Sequence, residues 1–139
     1  MLVDEITNWG EATFNPPASP DALGACESRL GHVLPVQLRQ LLAETNGIDG
    51  EYGLGLLWST DRIADDNARF RDDDDFRNLY MPLAGLVFFA DAGNGDQFAV
   101  LLSGDHEIYV WNHEDDSRIW VAPTVMRYLE YWMTGRLTV

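Results

Sequence analysis

His113, Glu114, Asp115 and Asp116 stand in a row near the end of this 139-residue chain. An imidazole beside carboxylates is a nitrogen and oxygen donor set of the kind divalent metals accept. Glu114 and Asp116 could also work together as acid and base. Both chemistries need side chains that converge. At a strand end, successive side chains point to opposite faces, so adjacent residues rarely meet on one ion. Three readings stay open: a metal-dependent enzyme centred on His113 and Glu114, a solvated turn with His113 satisfied by a neighbour, and a patch that faces a partner.

Other candidate chemistries fail on spacing. Gly93-Asn94-Gly95-Asp96 begins like a dinucleotide fingerprint but lacks the third glycine and the helix after it. The chain has no lysine, so a phosphate-cradling loop of the usual kind is excluded. An EF-hand starting at Asp91 would place Gly93, Gly95 and Leu102 where oxygen ligands are needed. Cys26 falls on the apolar stripe of a predicted helix, where a cysteine is a small core residue rather than a nucleophile. No nucleophile-elbow serine is present. His32 and His106 are expected to be polar surface. No catalytic residue, metal or cofactor is expected.

Charge points to a class of partner. The formal net charge is −14 and the isoelectric point about 4.2. All nine basic residues are arginine. Such a field repels phosphate backbones, which argues against nucleic acid, and it speeds the approach of basic proteins. Asp72, Asp73, Asp74 and Asp75 repel one another and are poor in a helix interior. Residues 71–78 are therefore expected to be an exposed loop or frayed helix end. Changing the four aspartates to asparagine is expected to leave thermal stability nearly unchanged. A lone cysteine and the absence of a secretory signal suggest a reducing cytoplasm. The longest near-apolar run, residues 82–90, is far short of the roughly 18 residues that a membrane helix needs.

The elements that would position these residues follow from periodicity. Residues 1–9 could form a short helix. Ser19 and Pro20 predict the cap and first turn of a helix with Leu23, Cys26 and Leu30 inward and Gly31 at its end. Pro35 starts a second helix with Leu38, Leu41, Leu42 and Thr45 on one stripe, and Asn46-Gly47 suits a left-handed cap. Residues 53–58 suggest a short buried strand. Ser59 or Thr60 can cap a helix through Ile63, Asn67 and Phe70. After Leu83 the period changes to short β-branched and aromatic runs separated by turn chemistry, an antiparallel meander of three or four strands. Pro123 is expected to open a last helix lined by Val125, Leu129, Trp132 and Met133. The expected class is α+β, one 139-residue domain, with a single layer of helices packed on the sheet. Trp58 and Trp111 are read as core. A tryptophan left half exposed beside acidic groups would be a good anchor for a basic partner.

Three stretches carry a family resemblance: residues 25–47, "ACESRLGHVLPVQLRQLLAETNG"; 86–100, "LVFFADAGNGDQFAV"; and 109–132, "YVWNHEDDSRIWVAPTVMRYLEYW". In this order and spacing they resemble the SUKH superfamily of fungal cell-wall-synthesis regulators and bacterial relatives. The resemblance covers Glu27, Leu30-Gly31, Leu34-Pro35, Asn46-Gly47, Gly93, Gly95-Asp96, Trp111, His113-Glu114 and Ala122. Gly93 and Gly95 would permit positive φ in a hairpin turn, and Asp96 would bond the backbone of that turn. The aspartate-rich loop after Trp58 departs from the family pattern. The resemblance implies a non-enzymatic immunity protein that neutralises a basic toxin, in the leading form a nuclease, with a regulatory scaffold as the alternative. The expected partner contacts are Asp72 to Asp75, Asp96, Trp111, Glu114, Asp115 and Asp116.

Overall fold

A computed structural model describes residues 1–72 and 85–138; of Asp72 it describes the backbone alone. The expectations for Asp73, Asp74 and Asp75, and for the rest of the 71–78 stretch, lie outside the described residues.

Four helices come first, with three very short strands among them. Helix α1 spans Leu2–Ile6, and the Glu44 carboxylate accepts hydrogen bonds from its first two amides, Leu2 N and Val3 N. Helix α2, Pro20–Leu30, is capped as its sequence requires: Ser19 Oγ accepts from Ala22 N, and Gly31 ends it at φ +72°. Helix α3, Val36–Glu44, buries Leu38, Leu41 and Leu42. Helix α4, Thr60–Asp72, starts where Ser59 Oγ accepts from Arg62 N.

Two details at α3 differ from expectation. The helix ends on extended Thr45, and Asn46-Gly47 is not its left-handed cap. Instead Asn46 Oδ1 accepts from Thr60 N, tying the loop to the start of α4. Strands β1 (Thr13–Phe14), β2 (Ile48–Asp49) and β3 (Gly55–Leu57) form a small antiparallel sheet in that order. Its first two strands are only two residues long, too short for alternation to register in the sequence.

The main sheet is the predicted meander: β4 (Leu86–Asp91), β5 (Gln97–Leu101), β6 (Ile108–Asn112) and β7 (Ser117–Ala122), antiparallel in that order. Helix α5, Val125–Met133, follows. Its cap is Thr124, whose hydroxyl accepts from Arg127 N, so Pro123 precedes the helix rather than opening it.

The α+β class holds, but the helices occupy both faces of the sheet instead of one layer. Pairing aligns Phe88, Ala99, Tyr109 and Trp120 across one face, and Ala90, Phe98, Val110 and Ile119 across the other. On the first face Phe70 of α4 meets Phe88 edge-on at 5.0 Å, and Trp111 completes the cluster 5.4 Å from Phe88. On the second, Tyr128 and Trp132 of α5 pack on Phe98 at 4.5 and 5.4 Å. Such ring pairs add about 0.5–1.5 kcal/mol each beyond the area they bury. Tyr128 is fully buried, and its hydroxyl donates to Leu56 O of β3, which links α5 to the small sheet. Burial pushes the Tyr128 phenol well above its ordinary range, so it stays a neutral donor.

The two edges of the main sheet are treated differently. Outside β4, Trp58 N donates to Phe89 O. The buried Asn67 amide of α4 both donates to Phe88 O and accepts from Phe88 N. A side chain there acts as a substitute strand. At the other edge, β7 has no neighbouring strand beyond β6 among the described residues.

Candidate partner-binding surface

The turn between β6 and β7 holds the acidic row. Asn112 pairs with Ser117, leaving His113 to Asp116 as a four-residue loop. Asn112 Oδ1 accepts from Glu114 N, and Asp115 Oδ1 accepts from Ser117 N. Asp116 adopts φ +58°, the left-handed region, which aspartate tolerates better than most residues.

This geometry sorts the expected contacts into two groups. Asp96, Asp116 and Trp111 are engaged inside the protein. Trp111 is 1% exposed, so the expectation that it contacts a partner is corrected: its ring lies under Phe70 and against Phe88. Its indole Nε1–H donates to Asp116 Oδ1 at 2.7 Å, and Arg118 donates to the same oxygen. Asp96, 8% exposed, does not bond its own turn as expected. Asn94 Oδ1 accepts from Asp96 N there, while Asp96 Oδ1 accepts from His113 N and His113 Nδ1, the latter at 2.7 Å. His113 is thereby folded onto the β4–β5 turn, where Gly95 sits at φ +92° and a Cβ would lie 3.0 Å from the imidazole. The glycine is needed for both reasons. The pair fastens one hairpin turn to the other.

Glu114 and Asp115 are exposed. The Ser117 amide and hydroxyl hold the Asp115 carboxyl below the usual carboxylate range, so its charge persists into mildly acidic solution. Beside them on the same hairpin, β7 presents Ile119 at 58% and Trp120 at 50% exposure. Sequence reasoning missed these two. The available signal was position: the last strand of a meander is an edge, and "RIWVA" puts two large apolar residues in succession, so one falls on each face of it.

No group of three histidine, cysteine or acidic residues is placed to hold a metal ion among the described residues. His113 commits Nδ1 to Asp96, while Glu114 faces solvent. Cys26 is 2% exposed, and burial first, then the neighbouring Glu27 charge, pushes its thiol up to about 11. It is core, as expected. His32 and His106 each place Nδ1 near a backbone carbonyl, of Val33 and Leu101. No helix among the described residues is long and apolar enough to cross a membrane.

The SMI1 / KNR4 family (SUKH-1) model matches residues 17–131. The chain belongs to that family. The match starts just before α2 and runs into α5, so it includes both sheets except β1. For this SUKH protein the structure also supplies roles for several family-like positions. Glu27 accepts from Leu34 N and Arg39 Nε, closing the short link between α2 and α3. None of the curated proteins compared with the chain matches it.

Proposed function

We propose that this SUKH protein acts by binding a basic protein partner, without chemistry of its own, and that it is an immunity protein for a cognate toxin, in the leading form a nuclease. One observation carries the reading: β7, an edge strand among the described residues, bears a half-exposed tryptophan on the same hairpin as two solvent-facing carboxylates. Glu114 and Asp115 steer the partner, and Trp120 with Ile119 anchors it. Asp72 to Asp75 add four charges to the same attractive field. An overall charge of −14 disfavours a second copy of this chain as occupant and favours a cationic surface such as a nuclease offers phosphate. Family membership supports the reading, because SUKH domains are generally immunity or regulatory modules. The compartment that fits a lone reduced cysteine is the cytoplasm.

Co-expression with the product of the adjacent gene tests this. Rescue of growth by the wild type, lost on Trp120→Ala with the protein still folded, supports it. A toxic product that this protein neither neutralises nor co-purifies with rejects the immunity role for that pair. Binding to a non-toxic enzyme or signalling protein instead would favour the regulatory scaffold.

A further inference from the structure

A second surface lies on the small sheet, away from the β6–β7 hairpin. Gly10, Glu11, Gly50, Glu51 and Tyr52 rim a cavity of about 390 Å³ floored by Leu54, Leu56, Trp132 and Met133. A second hollow of about 550 Å³ shares Gly10, Glu11, Gly50 and Glu51 and continues along Thr13, Phe14 and Asp49. The two form one cleft beside β1, the outer strand of its sheet.

We infer that this cleft takes an arginine side chain from an extended segment of a basic protein partner. The floor is apolar and aromatic, while the rim carries Glu11, Glu51 and Asp49, all exposed. Within the described residues the carboxylates of these three have no hydrogen-bond or ion-pair partner. Five arginines elsewhere each have a carboxylate partner: Arg29 with Asp65, Arg39 with Glu27, Arg62 with Asp91, Arg69 with Asp66, Arg127 with Glu130. Negative charge at this concavity is left uncompensated, so a cation complements it. Aromatic walls select among cations. A guanidinium stacks on a ring and forks to carboxylates, whereas a lysine ammonium does only the second well. Tyr52 strengthens the case. It is fully exposed at φ +58°, a conformation costing about 1 kcal/mol or more that glycine would adopt freely. Its ring stands at the mouth of the cleft.

The inference deepens the proposal of a basic partner, and its test uses no partner. Acetyl-arginine methylamide is titrated into the 15N-labelled protein, and the indole resonance of Trp132, assigned through Trp132→Phe, is followed. A saturable shift is expected in the millimolar range, weakened about fivefold or more in Glu11→Gln/Glu51→Gln, as loss of charge-assisted contacts requires. The uncharged citrulline analogue should give no shift, and the lysine analogue a weaker one. Absence of a saturable shift, equal response to citrulline, or an unchanged shift in the double variant overturns the inference. Partner binding in the growth assay would then still stand on the β7 hairpin. Conversely, arginine capture with no partner found would remove the immunity role and keep the cleft.

Discussion

Replacing Asn67 by alanine should expose how the β4 edge is closed. The Asn67 amide is 1% exposed and gives Phe88 both a donor and an acceptor, at 2.8 Å each. Alanine leaves Phe88 N–H and C=O buried, and among the described residues no strand pairs with β4 on that side to replace the amide. Each orphaned group costs about 1–3 kcal/mol. With the small loss of packing, the change should destabilise by about 3–5 kcal/mol. At typical unfolding entropies a chain of this length would then melt roughly 10–17 °C lower. Urea unfolding followed by circular dichroism gives the free energy, and a thermal scan gives the midpoint. Asn67→Asp is the informative companion. Ionised, it keeps the acceptor but loses the donor and buries a charge. Protonated, it can restore both bonds. Burial raises the folded-state pKa of such a carboxyl, so its stabilising form prevails at low pH and is lost as pH rises. Its deficit relative to wild type should therefore shrink towards pH ~4. A loss under about 1 kcal/mol for Asn67→Ala, or a pH-independent deficit for Asn67→Asp, would refute the claim that a side-chain amide stands in for a strand.

Three further outcomes follow from the same structure. Asp116→Ala should destabilise by about 2–4 kcal/mol in urea unfolding, since it removes the carboxylate that accepts from the Trp111 indole and puts a Cβ-only residue at φ +58°; Asp116→Asn, which keeps an acceptor and tolerates that φ, should cost less than about 1.5 kcal/mol. Gly47→Ala should cost about 2 kcal/mol or more, because a Cβ there would lie 2.9 Å from Asn15 Nδ2 and 3.3 Å from Leu57 O at φ +116°. The Cys26 thiol should resist Ellman's reagent in the folded protein and react once urea unfolds it. Because folding raises its pKa from 9.0 to about 11, its contribution to stability is complete below pH 9 and fades as pH rises towards 11, so the alkaline stability loss should be smaller in Cys26→Ala.

Much of the fold was legible because its signals are local. Ser19, Pro20 and Gly31 bracket α2, and the turns after β4 and β5 announce the meander. The small sheet was not, because strands of two residues such as Thr13–Phe14 have no period. The placement of helices on both faces was hidden for a different reason: it depends on which rows Phe88 and Phe98 occupy, and pairing register sets that. At the candidate surface, composition named the acidic row but could not tell engaged carboxylates from free ones. Asp96 and Asp116 look like Glu114 and Asp115 in sequence; only tertiary contact with His113 and Trp111 separates them. The same contact removes Trp111 from the surface and leaves Trp120 there. Glu11 and Glu51 drew no notice, being 40 residues apart until β1 and β2 pair.

The most direct test of the central claim is calorimetric titration of this protein with the product of the adjacent gene, inactivated for safe purification. The account predicts a one-to-one complex that weakens with added salt and loses roughly 30-fold or more in affinity on Trp120→Ala, the scale of a central aromatic anchor. No heat of binding to that product, alongside substrate turnover by this protein itself that disappears when His113 or Glu114 is replaced, would contradict it.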